Sequence, residues 1–118
     1  MIEGGQVYER AWNDGVRRHC PEQPGHLMSW VSLSPWERAS ANAVYETVRS
    51  IVEAGGTEGL SRVQKGRFVT LLRIAQVHRH LSSPRESIVA DWEELPAWQR
   101  ETNADIFEHI EDLILGAR

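Results

Sequence analysis

The stretch WVSLSPWERASANAVYETV, residues 30–48, returns 62 residues later as WEELPAWQRETNADIFEHI, residues 92–110. The shift lays Trp30 on Trp92, Leu33 on Leu95, Trp36 on Trp98 and Arg38 on Arg100. The apolar positions that follow also fall into step: Val44 with Ile106, Tyr45 with Phe107, Val48 with Ile110, Ile51 with Leu113 and Val52 with Ile114. Spacing and chemistry match together, which marks an internal repeat. Steps of three and four residues put each apolar set on one face of a helix.

Punctuation bounds these helices. Ser34, Pro35 and Glu37 form a capping box with proline at the first helical position. Gly55 and Gly56 supply a left-handed stop. Upstream, Val7, Tyr8, Ala11, Trp12 and Val16 predict a helix from about Gln6 to His19, broken by Pro21 and Pro24. Beyond GGTEGLSR, the residues Phe68, Val69, Leu71, Leu72, Ile74, Ala75, Val77 and Leu81 make a third helix apolar around much of its circumference. It is expected to be the most buried. Ser82, Ser83 and Pro84 end it, SIVADW (87–92) has room for a brief extended segment, and a fourth helix follows Pro96 and stops at Gly116. The first and third helices align at a shift of 64, pairing Val7 with Leu71, Tyr8 with Leu72 and Ala11 with Ala75. The second intervening loop is then two residues shorter than the first.

A helix-loop-helix unit cannot bury its apolar stripe alone, whereas two copies packed face to face can. The expected fold is all-α: one domain over 1–118, a four-helix bundle of two pseudo-symmetric helix-loop-helix repeats, about 6–54 and about 66–115. Trp30, Trp36, Trp92 and Trp98 would close the loop ends over the core, and Arg38 and Arg100 would tie down loop carbonyls or carboxylates.

With 118 residues, 41% of them hydrophobic, the chain can bury roughly two thirds of its unfolded surface in one core. A single cysteine, Cys20, excludes an internal disulfide. The start MIEGGQVYER carries neither a basic nor an apolar leader region, and no apolar run approaches the ~20 residues of a membrane span. A cytoplasmic location without membrane contact is the expectation. Of thirteen basic residues only Lys65 is lysine, which fits the codon bias of a GC-rich genome, as in actinobacteria and their phages.

The pattern W-x-x-L-x-x-W-x-R before an amphipathic helix, with the loop HCPEQPGHLMSW (19–30) ahead of it, resembles the repeat first named for ryanodine receptors. That repeat also occurs in small phage and actinobacterial proteins. Trp12 and Arg17 partly echo the family's aromatic and basic positions before the loop. The resemblance implies a helical structural and interaction module without catalytic residues.

No serine-centred motif, phosphate-cradling glycine loop or helix-borne metal signature is present. His19, Cys20 and His26 lie close together, and His78 and His80 flank Arg79. One cysteine among these falls short of the four spaced ligands of a structural zinc site. Arg17, Arg18 and His19 would lower the Cys20 thiol pKa if they faced it. The same cations also suit a helix C-terminus. No catalytic residue, metal site or cofactor is expected. The paired tryptophans and arginines read first as packing, although cation-π recognition uses the same residue types.

Charge distribution carries the strongest functional signal. Residues 59–85 hold Arg62, Lys65, Arg67, Arg73, Arg79 and Arg85 and no acid, whereas 86–112 hold nine acids against Arg100. The two segments either neutralise each other within the bundle or face outward. Facing outward, Arg62, Lys65, Arg67, Arg73 and Arg79 with Glu101, Asp105, Glu108 and Asp112 would steer a protein partner, a second copy of this chain included. Phosphate contact by the basic set, giving salt-sensitive nucleic-acid binding, is the alternative. The net charge of -4 opposes non-specific nucleic-acid binding. The expectation is a non-enzymatic protein-protein interaction module.

Overall fold

A computed structural model describes residues 3–116 as a four-helix bundle: α1 (Gly4–His19), α2 (Pro35–Ala54), α3 (Arg62–His80) and α4 (Ala97–Gly116). Short 3-10 turns fill the connections, at Pro24–His26, Trp30–Ser32, Thr57–Gly59, Glu86–Val89 and Trp92–Glu94. The last two occupy the stretch expected to be extended. Among the described residues no helix is long and apolar enough to cross a membrane.

Local chemistry starts and stops the helices. Ser34 Oγ accepts from the Glu37 amide while Glu37 Oε1 accepts from the Ser34 amide at 3.0 Å, which satisfies donors that a helix start leaves open. Ser61 and Gln64 repeat this arrangement at the head of α3. Gly55 (φ 92°) and Gly56 (φ 90°) turn the chain out of α2 in a region that other residues avoid.

The core is built from Tyr8, Ala11, Trp12 and Val16 of α1, Ala41, Val44, Val48 and Val52 of α2, Val69 of α3 and Ile106, Phe107 and Ile110 of α4. Phe107 is completely enclosed, with Phe68 edge-on at 5.9 Å. Enclosing such a ring stabilises the fold by roughly 1.5–3 kcal/mol. The most buried helices are α1 and α4, with seven buried residues each, and α4 packs against the other three. The expectation that α3 would be most buried is corrected: Leu71 is 62% and Val63 50% exposed, because α3 leans on α4 and meets α2 over only a short length. Leu113, assigned to the α4 stripe, is likewise exposed.

The two halves correspond closely but not at the expected register. α2 and α4 match at a shift of 62 along their whole length. α1 and α3 match at 61: both end in histidine, and Gly5 and Gly66 each lie beneath a tryptophan, where an added Cβ would come within 2.5 Å of the Cη2 of Trp30 or Trp92. The connection Cys20–Ser34 is therefore one residue shorter than Leu81–Pro96, not two residues longer. An apolar stripe repeats about every 3.6 residues, so shifts of 61 and 64 satisfy it almost equally. A glycine under an indole admits only one.

Candidate functional site

Three regions gather the side chains singled out in the sequence. The first is a pair of loop corners. Arg38 lies 5.6 Å over the Trp30 ring and donates to the carbonyls of Trp30 and Val31, both at 3.0 Å. Arg100 lies 5.7 Å over Trp92 and donates to the Glu93 carbonyl at 2.5 Å. Each corner thus stacks glycine, indole and guanidinium, and the arginine closes the turn ahead of its own helix.

The second region joins α3 to α4 and α1 by charge. Arg62 donates to Glu101 (2.8 Å), Asp105 (2.7 Å) and Glu108. Asp105 also takes His19 at 2.8 Å and Arg18 at 3.2 Å from the end of α1. Lys65 is buried and bonds Glu111 at 2.7 Å, with Glu108 at 3.5 Å. Burial pulls the Lys65 pKa down, but Glu111 and Glu108 outweigh it and hold the ammonium above its ordinary range. Burial pushes Glu111 up, and the Lys65 bond and charge, aided by the Thr57 hydroxyl, bring it below the ordinary carboxylate range. Arg67 meets Glu93 at 3.0 Å in the open, a pair of small weight. Six residues offered as an outward-facing set, Arg62, Lys65, Arg67, Glu101, Asp105 and Glu108, therefore form ion pairs within the chain, Arg67 and Glu101 while still half exposed. Arg79 and Asp112 are exposed.

Arg73 behaves differently. Its guanidinium lies 4.4 Å over the buried ring of Trp12 and donates to Asn103 Oδ1 at 3.2 Å. Asn103 in turn donates to Thr70 Oγ1 at 2.9 Å, and Thr70 to the Gly66 carbonyl at 2.9 Å. Thr70, Arg73 and Asn103 line a cleft of ≈ 340 Å³ between α2 and α3, together with residues of both long loops. Trp12, Trp36 and Trp98 line it, with His26 stacked on Trp98 at 4.6 Å and Trp98 edge-on to Trp12 at 5.7 Å. Trp36 stands on the α2 wall beside His80 at 5.9 Å. Ser40 Oγ, buried on the same wall, has no hydrogen-bond partner in the protein.

Sequence reasoning placed Trp36, Trp98 and Arg73 on separate features and passed over Trp12, Asn103 and Ser40 as site residues. The available signal was polarity inside an apolar stripe: Thr70, Asn103 and Ser40 interrupt helix faces that otherwise look inward.

The residues considered for metal or nucleophilic chemistry go separate ways. His19 binds Asp105, His26 Nε2 meets Gln23 Oε1 at 2.7 Å, and Cys20 is buried beside Glu22. Burial and Glu22 push the Cys20 thiol up, opposite to the lowering that neighbouring cations would produce. Among the described residues no group of three or more histidine, cysteine or acidic side chains is arranged to hold a metal ion. Protein-family models, curated proteins and solved structures were all compared with the chain, and none matches it.

Proposed function

We propose that this chain is a non-enzymatic, cytoplasmic interaction module that takes part of a protein partner into the cleft between α2 and α3. The single observation carrying this reading is the cleft itself: ≈ 340 Å³ of concave space walled by three indoles, with one guanidinium, that of Arg73, in its lining. Such a shape is of the size that binding pockets use, roughly 300–1,000 Å³. Aromatic anchors around a concavity are also what partner recognition favours. The ryanodine-receptor-like pattern and the arginine-rich composition support an interaction protein of phage or actinobacterial origin. Nucleic-acid binding is the weaker alternative, because Arg62, Lys65 and Arg67 already hold carboxylates.

Peptide display against the immobilised protein tests the reading. Selected peptides should bind the wild type and lose at least about tenfold in affinity for Ile74→Trp, which narrows the cleft from the α3 wall. Helical circular dichroism should be unchanged. Equal affinity for the narrowed variant would move the binding surface elsewhere.

A further inference from the structure

Arg73 is the cation in the 59–85 segment that the fold orients without neutralising. Trp12 fixes the face of its guanidinium and Asn103 takes one N–H, and among the described residues it forms no ion pair. A guanidinium carries five donors in a planar fork, so most of this fork is left over. The one acid along the cleft wall, Glu37, forms no ion pair with it and instead turns Oε1 to the Ser34 amide at 3.0 Å and the Ser34 hydroxyl at 2.8 Å. Each of the supporting groups, Trp12 and Asn103, is less than a tenth exposed. The fork, itself half-buried, therefore rests on a buried support and faces the cleft. An oriented guanidinium in such a setting matches a carboxylate in bidentate fashion.

The largely apolar walls, with Trp12, Trp36, Ile74, Val77 and Trp98, favour one way for a carboxylate to arrive. An internal Asp or Glu would drag two flanking stretches of backbone into the cleft, and their amides and carbonyls would need partners there. A chain terminus brings its charge first and a single side chain behind it.

Resting on the cleft reading above, we propose that the partner inserts its C-terminal residue, placing the α-carboxylate on Arg73 and an apolar or aromatic side chain among Trp12, Trp36 and Trp98.

The test uses an acetylated pentapeptide ending in Leu-Phe, with a free carboxylate or with an amidated end, followed through the indole N–H signals of the wild-type protein. The free acid should bind about tenfold or more tightly than the amide, the weight of a charge-assisted bond. Arg73→Gln should abolish the difference, and Arg73→Lys should restore only part of it, since lysine offers no planar fork. Equal binding of acid and amide to the wild type, with the indoles still shifting, would overturn the carboxylate site and leave the cleft reading intact. A preference for the acid that survives in Arg73→Gln would overturn it as well. If N-acetylphenylalanine binds as tightly as the pentapeptide, the occupant is a small acid and the chain-terminus assignment fails. If no probe shifts the indoles, this inference falls, and the displayed peptides alone decide whether the cleft binds anything.

Discussion

α1 lies along α4 over much of its length, yet the corresponding pair, α3 and α2, touches only briefly. The reason is visible one residue at a time. Gly15 of α1 meets Thr102 of α4 so closely that an added Cβ would be 2.6 Å from Thr102 Cγ2. At the matching place in the other pair stand Gln76 and Ser40, and both line the cleft. A glycine lets two helices approach; a glutamine holds them apart. Loop anchoring differs in the same sense. Glu9, Trp12 and Asn13 of α1 bind the backbone of Trp30, His26 and Met28 in the first loop. Their counterparts in α3 are Thr70, Arg73 and Ile74, and Thr70 and Arg73 turn instead toward Gly66 and Asn103. One side of the bundle is sealed and the other left open by a handful of substitutions in a shared frame.

The matched tryptophans give the largest test of this asymmetry. Trp98 lines the cleft as well but also packs against both Trp12 and His26, and Trp98→Ala should cost about 3–5 kcal/mol in urea unfolding. Trp36 borders the open cleft, and Trp36→Ala should cost about 1–2 kcal/mol, nearer an ordinary substitution. Equal costs would mean that the cleft closes in solution.

The second comparison sets Gly4 beneath Tyr45 against Lys65 beside Phe107, where the later half adds the buried bond to Glu111. Lys65→Met leaves the Glu111 carboxylate unpaired and should cost about 3 kcal/mol, whereas replacing both partners by apolar residues should be close to neutral. The pH dependence follows from the directions of the two shifts. Glu111 titrates below its unfolded value of about 4.3, so its contribution is present above that pH and fades as pH falls through the folded value. Lys65 titrates above its unfolded value of about 10.4, so its contribution is present below that pH and fades as pH rises through the folded value. Unfolding midpoints of Glu111→Gln should therefore fall less steeply than wild type below about pH 4.3. Parallel curves would remove the pair from the stability of the bundle.

The smallest effect concerns the helix spacing itself. Gly15→Ala should cost about 1–3 kcal/mol by wedging α1 from α4. Gln76→Ala, at the matching position on the open side, should stay within about 0.5 kcal/mol of wild type. A glycine substitution tolerated as well as Gln76→Ala would show that close approach does not distinguish the two sides.

Much of the frame was readable in one dimension because its signals are local. The Ser34 capping box, the Gly55 stop and the apolar stripes act within a turn or two of helix, so α2 begins and ends where punctuation placed it. The register of α1 against α3 was not readable in this way. Periodic stripes are degenerate under a shift of about one turn, and the residue that removes the degeneracy, Gly5 or Gly66, owes its identity to an indole from a distant loop. The charge segments were legible as opposite in sign, but whether they meet depends on which helix neighbours which. Arg62 reaches α4 because α3 packs there, and Arg73, about three turns further along α3, finds none of those carboxylates.

The amino-acid sequence by itself determined a four-helix chain and the ends of α2, because periodicity and capping are carried by neighbouring residues. The tertiary structure alone decided which cations are neutralised, which tryptophans seal the core and where the cleft opens. Those outcomes depend on contacts between residues far apart in the chain, such as Gly15 with Thr102 and Arg73 with Trp12, and only the packing of the helices brings them together.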